Sequence, residues 1–141
     1  MLSLRVLAVS SCAALAAACG TPITAQPDLV IVVGGGDCEG ESTCAFDFGQ
    51  VAVLHTKTNA FTLKNNGGAT AEIAEVKISG DAAFTVANQA GTSVDIGKTA
   101  SVTVSYTPTA QSTSNATLEV TWGADQNGDD RTTVALTGRG L

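Results

Sequence analysis

From Phe46 to Leu141 the chain alternates apolar and polar positions with a period of two, and clusters of Gly, Asn and Asp cut the alternation into short runs. Successive side chains of an extended strand point to opposite faces, so this period marks strands with one face in a core and one in water. Phe61 with Leu63 marks one strand, Phe84 with Val86 a short one, and Val94 with Ile96 another. Ile73 is followed by Val76 and Ile78, a change of phase across Ala74-Glu75 that predicts a β-bulge. Three later runs are cleaner: Val102, Val104 and Tyr106, which stop at Pro108, then Ala116, Leu118, Val120 and Trp122, then Val134 and Leu136. Ahead of them, Leu29 to Val33 is a continuous apolar run bounded by Pro27-Asp28 and Gly34-Gly35-Gly36, which reads as a buried strand. No stretch sustains a helical period. The pattern predicts an all-β protein, an antiparallel sandwich of about seven to eight strands.

The first nineteen residues, MLSLRVLAVSSCAALAAAC, follow a different rule. One positive charge at Arg5, 13 apolar or small residues from Val6 to Ala18, and small residues just before Cys19 are the ordered parts of an export signal. A helix needs roughly 18 to 20 apolar residues to span a bilayer, so a permanent transmembrane anchor is the weaker reading. Leu15-Ala16-Ala17-Ala18-Cys19 resembles the lipobox of lipoprotein signals, with Ala16 where Leu is usual. Val9-Ser10-Ser11-Cys12 is a rival match, but it leaves only six residues after Arg5 for the signal core, and ordinary cleavage near Ala18 is a third reading.

The lipobox resemblance implies a signal peptide at 1–18 and a membrane-anchored protein with diacylglyceryl thioether and palmitate on Cys19. A single acyl chain binds membranes marginally, whereas two or three hold stably at ~0.8 kcal/mol per buried methylene. Gly20 stands where an Asp would retain a lipoprotein at the inner membrane, so the expected address is the outer membrane of a bacterial envelope, on its periplasmic or surface face. Residues 19–28 then form the lipidated cysteine and a flexible tether with two prolines, and 29–141 form one domain.

The β runs also carry a resemblance. Phe46-Asp47-Phe48-Gly49 with Val51, Phe61-Thr62-Leu63-Lys64-Asn65 with Gly67, Ile73 to Gly80 followed by Phe84, Gly97 with Val102 to Pro108, and Leu136-Thr137-Gly138-Arg139-Gly140 stand in order. Together they resemble the Hydin-type (ASH) immunoglobulin-like domains related to major sperm protein, which also occur as anchored-domain repeats in bacterial surface proteins. The resemblance covers about residues 44–141; the cysteine-bearing segment between Val33 and Phe46 departs from the family pattern. It implies an immunoglobulin-like sandwich acting as a binding or scaffold module, with no catalytic residues to carry over and no cofactor.

Charge narrows the partners. All 13 acidic residues follow position 27, and one of the seven basic residues is Arg5, so the chain after the signal carries 6 − 13 = −7. Such a balance disfavours nucleic acid and basic-patch docking on anionic lipid.

Four features could carry chemistry. Cys38 and Cys44 are the thiols left once Cys12 and Cys19 are accounted for, and in an oxidising envelope they are expected to form a disulfide that stabilises by ~2 to 3 kcal/mol. A reduced pair and metal or redox work are the alternatives, although five intervening residues do not match the two of zinc knuckles or thioredoxin-like sites. Asp125, Asn127 and Asp129 place oxygen side chains at alternate positions as a calcium loop does, but Asp130 and Leu136 stand where an EF-hand needs Gly and Glu. Asn127-Gly128 is better explained as a hairpin tip. His55 is the sole histidine and reads as an exposed turn residue, without the partners a catalytic set needs. Asn115-Ala116-Thr117 matches a glycosylation sequon, which means little in a bacterial envelope.

The expected function is therefore a non-catalytic envelope lipoprotein with one interaction domain, its partner an unidentified envelope or surface protein. A surface ligand-binding or carbohydrate-binding module, calcium-assisted through Asp125, Asn127 and Asp129, is the alternative; it requires exposed aromatic side chains, and Tyr106 and Trp122 fall on core phases.

Overall fold

The computed structural model describes residues 24–38, 44–125 and 127–141. Its strands are β1 (Leu29–Val33), β2 (Gly36–Cys38), β3 (Cys44–Val51), β4 (Lys57–Asn65), β5 (Ala71–Gly80), β6 (Phe84–Val86), β7 (Ser93–Val94), β8 (Thr99–Tyr106), β9 (Thr113–Gly123) and β10 (Asp130–Gly140). They form two five-stranded sheets, ordered β2-β1-β4-β8-β6 and β3-β10-β9-β5-β7. The architecture is the expected all-β, immunoglobulin-like sandwich, with ten strands where the alternation predicts seven or eight. The strand it misses is β2, three residues with a single buried side chain, Cys38; β7 falls where Val94 marks a strand but is only two residues long. Ile96 is 56% exposed instead of inward, because the chain leaves β7 and turns back at once, Lys98 N–H donating to Asp95 O at 2.9 Å.

Pairing is antiparallel throughout except for β3, which runs parallel to β10 with Cys44 opposite Val134 and Val51 opposite Gly140. A period of two is the same in either direction, so the sequence pattern does not distinguish them. The phase change in β5 is a bulge as expected: its register against β9 slips between Ile73 and Glu75.

Both inner faces meet in one core that includes Leu29, Ile31, Leu63, Ile73, Val102, Val104, Leu118, Val120 and Leu136. The four phenylalanines and the single tyrosine form one continuous aromatic chain. Phe46 touches Phe48 and Phe61 edge-on, Phe48 reaches Phe84, and Phe84 stacks on Tyr106 at 4.5 Å. Such contacts add ~0.5 to 1.5 kcal/mol each beyond their buried area, which matters in a core otherwise built of small aliphatics.

Strand directions give the sandwich two ends. Residues 24–28, the β4–β5 turn, the Asp95–Lys98 turn and the β9–β10 hairpin share one end, because Leu29 pairs with Asn65, Lys64 with Thr99, and Ile73 with Trp122. The β3–β4, β5–β6 and β8–β9 turns lie at the other. β4, which has nine residues, runs between the two ends. At a rise of ~3.3 Å per residue the ends are about 30 Å apart.

Candidate interaction surfaces

The end that receives the N-terminal segment is built on Asn65, a fully buried polar side chain. Its Nδ2 donates to Ala69 O at 2.7 Å and Val94 O at 2.8 Å, while its Oδ1 accepts from Gly67 N–H at 3.0 Å and Asp28 N–H at 3.3 Å. One amide thus satisfies four backbone groups from three segments, which is what a buried polar side chain must do to be tolerated. Asn66 and Gly68 donate backbone N–H to Asp28 O and Gln26 O, each at 2.8 Å. A side chain at Gly67 would run into the backbone of Gln26, Pro27 and Asp28, so the glycine makes room for this docking. Gln26–Asp28, read from the sequence as the end of a tether, are therefore fastened to the domain.

Each side of the sandwich is closed. Cys38 and Cys44 form the expected disulfide, and it joins β2 to β3, the edge strands of opposite sheets. Lys57 Nζ donates to Phe48 O on β3 at 2.7 Å. On the other side, the segment between β6 and β7 crosses from one sheet to the other and seals both. Asn88 Oδ1 accepts Val76 N–H of β5 at 3.2 Å, and Gln89 Nε2 donates to Ser101 O of β8 at 2.9 Å. Edge strands with occupied backbone groups are poor templates for an added strand.

The outer face of the β3-β10-β9-β5-β7 sheet is polar. Thr113, Thr117 and Thr121 of β9 lie beside Arg139, Ala135 and Arg131 of β10, and Glu119 lies beside Thr133. Lys77 bridges Glu119 at 2.8 Å and Glu75 at 3.3 Å; hydrogen bonds first to Glu119 and then to Glu75 hold its ammonium above the ordinary lysine value. Exposed pairs of this kind contribute little to stability. An open hollow of about 660 Å³ lies on this face, lined by Glu119, Thr121, Gly128, Asp129, Asp130, Arg131 and Thr133.

Asp125, Asn127 and Asp129 lie in the β9–β10 hairpin loop between Gly123 and Asp130. Asp125 accepts the Asn127 N–H at 2.9 Å through one carboxylate oxygen and Asn127 Nδ2 at 2.7 Å through the other, so both oxygens serve the turn itself. Among the described residues no three His, Cys, Asp or Glu side chains converge as metal ligands. None of the six aromatic side chains is exposed: Phe46 is half-buried and the rest, Trp122 and Tyr106 included, are buried. Cys19 and the rival Cys12 lie outside the described residues.

At the opposite end, the β3–β4 turn carries the most exposed large apolar side chain, Leu54, at 76%. His55 N–H donates to Ala52 O at 2.9 Å, which puts Leu54 third in a tight turn, and its φ is +64°. Gly or Asn normally takes that place, since a β-carbon in the left-handed region costs ~1 to 2 kcal/mol. Leu54 N–H donates to Pro108 O at 2.8 Å and Val53 N–H to Leu141 O at 3.1 Å, fixing the turn against the β8–β9 loop and the last residue. His55 is exposed as expected, its Nδ1 3.2 Å from Val53 O. The sequence pattern gave no hint of Leu54, because a lone leucine after Val53 looks like the tail of a strand. Nearby, Asp81 Oδ1 accepts Ala83 N–H at 2.9 Å; that bond, and a second from Ser114, hold its carboxyl below the usual carboxylate range.

Several solved structures share this arrangement. The ASH/PapD-like domain of human CEP192 is similar with a TM-score of 0.60 and 12% identity, covering 86% of this chain and 92% of that one. A protein of unknown function from Porphyromonas gingivalis W83 is similar to the same TM-score and identity, over 80% of this chain, which spans only 46% of that protein. The secreted serine protease VesC from Vibrio cholerae matches at a TM-score of 0.50 and 20% identity, over 67% of this chain and 21% of that one. Identities this low speak for the fold alone. No curated protein sequence matches the chain. The model of the HYDIN/CFA65/VesB-like Ig-like domain matches residues 42–139, starting at the disulfide-bearing segment and ending within the closing Gly138-Arg139-Gly140 strand. That match spans more than half of the sequence and the strands of both sheets from Cys44 onward, and the chain belongs to the HYDIN/CFA65/VesB-like Ig-like domain family.

Proposed function

We propose that the protein is a non-catalytic bacterial envelope lipoprotein that holds a single interaction domain close to a membrane, anchored through Cys19 and most consistent with the outer membrane. The observation that carries this reading is the polarity of the sandwich: the N-terminal segment is fastened at the Asn65 end, so a tether to lipid leaves from there and the β3–β4 and β8–β9 turns point away. Turns at the anchored end carry Asp28, Asp95, Asp125 and Asp129 against Lys98 alone. That charge repels an anionic lipid surface and holds the domain off it. Anchoring contributes by local concentration, turning weak recognition into an effectively intramolecular event. The partner is an envelope or surface protein, and no cofactor or nucleic acid enters.

Metabolic lipid labelling of the wild type and of Cys19→Ala tests the anchor. Label lost with the substitution is the expected result; label retained would move the anchor to Cys12 or remove it. The calcium-assisted alternative has no structural support of its own, since Asp125 is occupied by Asn127 and no exposed aromatic side chain is available for stacking on a sugar.

A further inference from the structure

We infer that the tip formed by the β3–β4 turn is a docking surface for another protein, with Leu54 as its anchor side chain. Two unfavourable features coincide at this residue: a left-handed backbone, φ +64°, and a large apolar side chain 76% exposed. Scattered exposed leucines are ordinary, and so are left-handed glycines in turns. A leucine in that conformation with its side chain in water gains nothing inside the molecule, and strain held in place by surrounding structure is characteristic of binding sites. Here the hydrogen bonds to Pro108 O and Leu141 O hold it, so Leu54 projects from a rigid base. Rigidity lowers the ordering cost of binding.

The surroundings indicate the occupant. Turn residues 52–56 and 107–112 contain no Asp, Glu, Lys or Arg, with His55 their one titratable side chain and Asp81 of the β5–β6 turn the one carboxylate among the turns at this end, in contrast to the acidic turns at the other. A tip with little charge and one apolar prong fits a shallow apolar pocket on a folded protein. A lipid surface is a poorer match, because interfacial binding uses Trp, Tyr, Lys and Arg side chains and these turns have none of them. Two tips meeting head-on would bury far less than the roughly 1,200 Å² of a stable interface, which disfavours a second copy. The inference rests on the proposed anchoring only for the direction in which the tip points.

The test places a photoreactive benzophenone amino acid at Ala110, exposed on the neighbouring turn, in the full chain in intact envelopes, with lipid labelling followed in the same samples. The expected result is a discrete adduct with one other protein that falls at least tenfold in Leu54→Asn, returns in Leu54→Met, and is missing when the probe sits at Ile96 on the opposite end. Leu54→Asn should melt at the same or a higher temperature, since Asn tolerates the left-handed region. An adduct unchanged in Leu54→Asn, an adduct to phospholipid or to a second copy, no adduct, or a lowered melting temperature in Leu54→Asn would each overturn the inference. An adduct formed without lipid label on the chain would instead refute the anchoring alone.

Discussion

The two ends of the sandwich solve the same closure problem by opposite means. At the end that receives the N-terminal segment a single buried amide, Asn65, gathers four backbone groups, and the surrounding turns are acidic. At the far end the closure is apolar: Phe48 and Phe84 pack with Tyr106, the Tyr106 ring rests where a β-carbon on Gly138 would stand, and the turns outside are largely uncharged. A hydrogen-bond hub fixes one geometry and holds an incoming chain in place, whereas aromatic packing seals the core without spending the loops' polar groups on it. The polar end is thereby suited to attachment, and the apolar end leaves its turns free to present side chains.

Asn65→Ala should give the largest effect. It strands the buried Val94 carbonyl and three part-buried backbone groups, the Ala69 carbonyl and the Gly67 and Asp28 N–H groups, and a loss of about 3 kcal/mol is expected by urea denaturation, with Gln26–Asp28 released to fast amide exchange. A loss below about 1 kcal/mol would mean that Asn65 is not the hub described. Gly138→Ala attacks the other end by pushing a methyl group into the Tyr106 ring, at about 2 kcal/mol. If Gly138→Ala also loosened Gln26–Asp28, the two ends would not be independent. Removing the disulfide by Cys38→Ser with Cys44→Ser is expected to cost about 2 kcal/mol, from the short loop it closes, without altering either end.

Smaller effects refine the picture. Tyr106 Oη is buried without a hydrogen-bond partner, so Tyr106→Phe should be neutral or stabilising by up to about 1 kcal/mol; a clear loss would reveal a partner for the hydroxyl. Asp81 should show least. Its carboxyl is held below the usual range by Ala83 N–H and Ser114, so its contribution is present above the unfolded-state value and is lost as pH falls through the folded one, below about pH 4. Stability of Asp81→Asn should accordingly depend less steeply on pH in that acid range than the wild type, and equal slopes would show that the bonds add nothing.

Much of the architecture was legible in the residues. Burial follows the alternation at Phe61 and Leu63, at Val102, Val104 and Tyr106, and at Leu118, Val120 and Trp122, because one-sided burial imposes period two directly. The bulge after Ile73 showed as a phase change for the same reason. β2 left no period because only Cys38 of its three residues is buried, and Ile96 was misplaced because only a turn hydrogen bond shows where β7 stops.

The sequence by itself determined what local chemistry encodes, the strand faces and the thiol pair, each a property of residues close together along the chain, and the net charge, a plain sum over it. Only the tertiary structure decided what depends on distant segments meeting. Asn65 became a hub because Asp28, Gly67 and Val94 converge on it; the β6–β7 segment became an edge seal because it crosses between the sheets. Leu54 became a strained, exposed prong because Pro108 and Leu141 hold its turn from elsewhere in the chain. Such convergence is set by three-dimensional packing, which no period along the chain records.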